Sequence, residues 1–513
     1  MHKKASAREG GGFCRSLRVR GGFWRLGFCG MNTRLGRLWG RYFSLAAAGG
    51  CLLPFVVLAL YSHPALDDFA FGELLRTKSI GAYVADVYQH TSGRYAAALS
   101  TGVVQAFGQH PAAYPALVLA GLLALVLALY VAAAAVVPAG AGRLAAPLGS
   151  VLLVAALLNF PKPADGIYWL TGEVAYLYPV ILVALLLALL AWLAAHPAAR
   201  GRGPAWVAAV LLAGFIPGYS EITALLLPLV AVGSWGALRP RWRSGWAAVA
   251  LATLAGSAAT LATPAHHGHW QAATQPLLVL QTAGRAAAHA GYSALNWLGN
   301  GLLGLWLLLA LPLSGAFARA ARGQGLVQRL TRPLWLWPLL TLAGVWGSFF
   351  FYMLATHDAL VPRVKNLLYL YFVAGLVLSA HAAFRRLPFR YRAVLQAAPT
   401  RAALALALLA AFFTDHNPGL LPARAGQGRN AVLQAYGDWL SGDAARYHQQ
   451  QQARAAQVRA AMPGAAPLRL DPLRPQPVSL FYADISATPT AWGNVAYAAF
   501  WHCPVPVYVA PAP

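Results

Sequence analysis

The sequence is short of charge. Only 10 % of its 513 residues are Asp, Glu, Lys or Arg, and just 14 residues are acidic. A soluble globular chain carries about a quarter of its residues charged, so that class does not fit. Cysteine is scarce as well: Cys14, Cys29, Cys51 and Cys503 show no paired spacing, and no disulfide framework or zinc knuckle follows from them. The sequence lacks GxxxxGK[ST], a GxGxxG after a strand, and GxSxG, so chemistry driven by a soluble nucleotide is not indicated.

Apolar residues are what the chain has in abundance. They make up 59 % of it, with a mean hydropathy of +0.54. Runs long enough to cross about 30 Å of hydrocarbon recur along its length. A β-barrel would show short alternating segments instead. The sequence therefore predicts an all-α polytopic membrane protein. Eleven spans are expected, at 43–61, 112–137, 144–160, 174–196, 204–217, 221–238, 244–262, 292–313, 332–355, 364–382 and 399–414.

A net charge of +25 would suit nucleic acid, but its distribution argues against that partner. With 94–109 counted as an interfacial helix rather than a span, the inner segments hold 25 of the 39 Lys and Arg and a single acid, Glu9. Basic inner loops are the usual topological bias. Confinement of the other thirteen acids to the outer side goes beyond it, and marks the outer face as the place for chemistry. The expected organisation is a basic cytoplasmic tail (1–42), a transmembrane domain (43–414) with outer loops 62–111, 161–173, 263–291 and 356–365, and an outer C-terminal domain (415–513) of α+β type. In that last domain, 429–459 reads as helical and 478–485 and 505–510 as short strands. The expected location is the inner membrane of a bacterium, multi-pass.

The first outer loop holds the sharpest motif, Asp67-Asp68 followed by Phe69, with Gly93-Arg94-Tyr95 further on. A bare acid pair beside a span is costly without a role. Neighbouring residues point in different directions, so the two serve separate purposes. One suits a general base and the other a metal ligand or orienting group; the bland alternative is a helix cap at Asp68. Arg94 is a fixed cation suited to phosphate, or else an interfacial anchor with Tyr95. The stretch Asp165 to Tyr178 packs Trp169 and other aromatics around Glu173, a pattern that suits a sugar ring or, more blandly, an aromatic belt. Glu221 sits between two short apolar segments, where a carboxylate is costly unless paired or wet. Arg363 and Lys365 open a span on the outer side and could hold a lipid phosphate. His266, His267 and His269 form a loose cluster without metal-ligand spacing, so no metal ligand is assigned. Tyr482-Ala483-Asp484 and Trp492-Gly493-Asn494 suit core packing, or a fold back over the site.

From about residue 40 onward, the Asp-Asp early in the first outer loop, the many spans and the outer C-terminal region resemble the GT-C class of membrane glycosyltransferases. The segments DDF…GRY, YWLTG and W-x-N resemble, more closely, a bacterial multi-spanning family whose function is unassigned. The resemblance implies transfer of a sugar from a polyprenyl-phosphate donor to a polysaccharide, lipid or protein acceptor. It maps the first-loop acid of the class onto Asp67 or Asp68 and the phosphate-binding cation onto Arg363 or Lys365. No cofactor is specified; a divalent cation, Mg or Mn, is the one candidate. Membrane lipid is an expected partner. A transporter or flippase for a lipid-linked sugar is the rival reading.

Overall fold

The computed structural model describes residues 32–510 except 109, 111, 139, 239, 264–275, 323–324, 415–428 and 465. The His266, His267 and His269 cluster lies outside the described residues. Helix α1 (Asn32–Ala59) leads to two short helices, α2 (Asp67–Thr77) and α3 (Ile80–Asp86), and then to α4 (Tyr95–Gly108). Helices α5 (Tyr114–Val136) and α6 (Ala145–Leu158) pack against each other. A broken stretch follows, in which π-turns Ala164–Tyr168 and Glu173–Leu177 flank the single turn α7 (Leu170–Gly172) before α8 (Tyr178–Ala195). Next come α9 (Arg202–Phe215), a tight turn Ile216–Tyr219, α10 (Glu221–Gly233) and α11 (Pro240–Leu261). The membrane-type helices close with α12 (Pro276–Leu298), α13 (Leu302–Ala320), α14 (Leu326–Leu330), α15 (Leu336–Thr356), α16 (Pro362–Arg386), α17 (Phe389–Gln396) and α18 (Ala398–Phe413). Proline opens α5, α8, α16 and α18, where its missing N–H would have no helical partner anyway.

Among the described residues, seven helices are long and apolar enough to cross a membrane, or eight if α17 and α18, bent by 62°, make one span. The expected segments 144–160, 204–217 and 221–238 form helices of 14, 14 and 13 residues. At 1.5 Å per residue each is about 20 Å long, less than the hydrocarbon thickness. The expected span 292–313 is corrected. It straddles a break, because Gly301 takes φ +92°, ending one helix and starting the next. What lies before it, in the expected loop 263–291, is largely the helix α12.

The C-terminal segment comprises α19 (Ala431–Leu440), α20 (Asp443–Arg459), β1 (Leu468–Leu470), α21 (Trp492–Phe500) and β2 (Val507–Val509), with β1 and β2 paired in parallel. The expected strand at 505–510 is β2, whereas 478–485 is not a strand. Its backbone turns instead, Pro477 O accepting from the N–H of Leu480 and Phe481. Arg454 forks onto Asp484 at 2.7 and 2.9 Å and holds this irregular stretch against α20. Asn494 bonds Ser486 and Val507, so the Trp492-Gly493-Asn494 motif belongs to packing.

This segment is not a separate body. Phe69 of α2 shares an apolar core with Leu470, Tyr497, Phe500 and Val507. Tyr436 of α19 donates to Gly50 O of α1 at 2.8 Å. Below α2, His63 Nε2 meets His448 Nδ1 of α20 at 2.8 Å, with Tyr61 and Tyr447 edge-on to the rings. Burial, then the neighbouring His448, push His63 down to about 3, and burial lowers His448 too.

The sign of the resulting pH dependence follows. Between the ordinary histidine value and about 3, the unfolded chain binds a proton that the folded one refuses. Stability contributed by this joint is complete above pH 6.5 or so and falls as pH drops, by up to about 1.4 kcal/mol per pH unit for one group. Thermal unfolding in detergent from pH 7.5 to about 4.5 should show the melting point falling more steeply in the native protein than in His63→Gln. Equal slopes would mean the pair is not what holds the joint.

A candidate active site at one end of the bundle

Asp67 and Asp68 open α2, and the fold gives them opposite surroundings. Asp68 is 1 % exposed and accepts five hydrogen bonds. Its Oδ2 takes the Ala65 N–H at 3.1 Å and the Tyr114 hydroxyl at 2.7 Å. Its Oδ1 takes the Gln105 amide at 2.9 Å, the Thr171 N–H at 3.0 Å and the Thr171 hydroxyl at 2.6 Å. One carboxylate thus ties together α2, α4, α5 and α7. Burial pushes its carboxyl up to about 6, while the hydrogen bonds from Thr171, Tyr114 and Ala65 hold it back. Every lone pair is used, so Asp68 is a latch.

Asp67, about 100° round the helix, has no such cage. Its backbone N–H helps the charged form, and the field of Arg363 reaches it, but burial outweighs both and raises its carboxyl above the usual carboxylate range. Tyr83 and Tyr482 lie close enough to feel its charge. A carboxylate with free lone pairs and a raised pKa is suited to accept a proton.

Around it stands a wall of aromatics and cations. Trp169 donates to Ala65 O at 3.2 Å, which fixes its ring beside the start of α2. Tyr482, from the C-terminal segment, stacks on that ring at 4.1 Å and 10°. The Arg363 guanidinium lies 5.9 Å from the Trp169 ring centre, with Nη1 3.4 Å from the Tyr482 hydroxyl. Asp165 pairs with Lys162 at 3.0 Å, and Asn366 clamps the Lys162 backbone from α16 at 2.8 Å on both its groups. Arg94 forks onto Glu221, with contacts of 2.7 to 3.1 Å. Ser220 and Thr223 form a capping box that fixes Glu221 at the head of α10. Tyr176 lies close enough to act on both Arg94 and Arg363. Arg94 is neutralised by its carboxylate, whereas Arg363 has no ion pair among the described residues.

The remaining expected residues sit elsewhere. Tyr95 donates to Gly214 O at 2.5 Å and packs on Gly218, where a Cβ would come within 2.5 Å of its ring; it pins α4 to α9. Lys365 is two residues from Arg363 on α16 and so faces another direction. Glu173 is wholly buried beside α5. Sequence reasoning passed over Gln105, Tyr114, Thr171 and Tyr176. Polar groups on the buried face of an apolar segment were the available signal, and Gln105 in α4 carried it. A recess of about 470 Å³ lies away from this site, between α9 and α11. Its lining is apolar apart from Arg202 and Ser244, so it offers no acid or base.

No family model, curated protein or solved structure matches this chain. The functional reading therefore rests on the chemistry of the site.

The two aspartates separate by stability. Asp68→Asn turns an amide N–H₂ toward buried donors and should cost about 2–5 kcal/mol. Asp67→Asn should stay within about 1 kcal/mol of the native protein. Denaturation midpoints of the two variants in detergent check this, and a reversed order would exchange their roles.

Proposed function

We propose that this protein is an integral membrane glycosyltransferase, moving a sugar from a polyprenyl-phosphate donor to a hydroxyl acceptor of the cell envelope. The observation that carries the reading is the split between the aspartates: Asp68 sealed by five donors, Asp67 left open between a cation and an aromatic wall. Trp169 is buried under Tyr482, and the half-buried Tyr482 ring, backed by that stack, suits the C–H face of a sugar on its other side. Arg363 suits a phosphate, and a lipid-borne donor explains why the sequence has no glycine-rich nucleotide loop.

The reaction is a single displacement. The acceptor hydroxyl gives its proton to the Asp67 carboxylate as its oxygen attacks the anomeric carbon. The bond from that carbon to the phosphate oxygen breaks, and its electron pair leaves on the phosphate, opposite the Arg363 charge. One displacement inverts the anomeric centre. A divalent cation would draw on Asp67 and Asp165, but both carboxylates already feel Arg363, and the described residues contain no group of three or more potential ligands. These residues do not fit a metal, and no step is routed through one.

The second reading, a flippase for a lipid-linked sugar, draws on the break at Ile216–Tyr219 and on the carboxylates of Glu173 and Glu221 near helix ends. Purified protein offered a mixed pool of polyprenyl-phosphate sugars separates the two. Asp67→Asn should reduce transfer about 10²–10⁴-fold, and Arg363→Ala should weaken it with the fold intact. Transfer indifferent to Asp67→Asn would sink the mechanism. Donor movement across vesicles without any transfer would select the flippase.

A further inference from the structure

Glu173 begins the π-turn Glu173–Leu177, within the apolar stretch Leu170–Ala195. It is 0 % exposed, and neither Oε1 nor Oε2 has a hydrogen-bond partner. Gly121 of α5 makes the room for it: a Cβ there would lie 1.8 Å from Oε1. The carboxyl is therefore pressed onto the backbone of α5, a helix with no charged residue from Tyr114 to Val136.

Among the described residues, no neighbouring element supplies a counter-charge to Glu173. On α2, the Asp68 carboxylate is near enough to act on Glu173, and its sign is the wrong one. Tyr178, at the head of α8, also lies within its field. Beside α4, Arg94 is taken by Glu221. The first π-turn carries Asp165, which is paired with Lys162. On α16, Arg363 engages Tyr482 and Tyr176, and Lys365 is only half-buried. A bare carboxylate in such a place costs several kcal/mol, and a neutral carboxyl escapes most of that.

We propose that Glu173 is a proton-binding site, holding its proton in this conformation and releasing it to water only when the π-turn carries the side chain off Gly121. Only a proton is exchanged: the carboxyl becomes a carboxylate and water takes the proton. Single π-turns inside helices recur at functional sites, and this one starts two residues after Thr171, which holds Asp68. Movement of the turn would pull on Thr171 and through it on the Asp68 set beside Asp67, so protonation of Glu173 and the geometry of the site are linked.

Infrared difference spectroscopy on the full-length protein, titrated with acid and base, tests this without any substrate. The native protein should show at neutral pH a protonated-carboxyl C=O band that Glu173→Gln removes, with the Asp68 signal left in place. In Glu173→Asp the band should shift and persist, which keeps the test open if the Gln variant does not fold. Gly121→Ala crowds Oε1 and should lower the pH at which the band is half lost by at least one unit. Loss of carboxylate bands in place of the C=O band on Glu173→Gln would overturn the proposal. A band and midpoint unmoved by Gly121→Ala would overturn the role given to the π-turn.

Discussion

Five donors converging on one buried carboxylate constrain everything around them. Asp68 draws on a loop N–H, an amide, a phenol, a backbone N–H and a hydroxyl from four separate elements. In the low dielectric of a protein interior such bonds are strong when complete and expensive when broken. The consequence is geometric. Helix α2 cannot turn about its axis without tearing this set apart, so Asp67 is aimed by its neighbour. The same latch holds Thr171, and with it the short turn between the two π-turns on which Trp169 stands.

A pair of acids in sequence therefore need not be a pair in chemistry. One is saturated and immobile, the other unsaturated and poised, and the difference comes from which side of a helix each occupies. The cations divide in the same way. Arg94 is matched by Glu221, while Arg363 lies over an aromatic ring with no acid in contact. The site thus presents one open acid and, among the described residues, one cation without an ion pair. Tyr176 sits within the reach of both arginines, between the matched pair and the open cation.

Much of this was legible in the residues. Apolar runs with basic connections point to a helical membrane protein, and the described residues contain seven helices of sufficient length. Asp67, Trp169 and Arg363, picked out as polar or aromatic groups at span ends, do converge. The rest was hidden for physical reasons. Hydropathy cannot tell the 14-residue α6, packed inside the bundle, from a full span, since both are apolar throughout. Nor can it show that Gly301 breaks a run in two, because a left-handed glycine and a close-packed one look the same in sequence. Which aspartate is sealed depends on Tyr114 and Thr171, residues 46 and 103 positions away, and local pattern carries no such information. Glu173 stood out in sequence as a carboxylate among aromatics that suit a sugar ring; that it is sealed against Gly121 is a long-range packing fact that local pattern does not carry.

The stacking of Tyr482 on Trp169 carries a further consequence, for the order of events in biosynthesis. Trp169 precedes α8, and Tyr482 follows the last of the membrane-type helices by many residues. Translation makes Trp169 early and Tyr482 late. Asp67 and Arg363 are both synthesised before the Tyr482 ring that lies beside them. The stack forms only after all the described membrane-type helices have been made, so Trp169 waits for its partner ring throughout their synthesis.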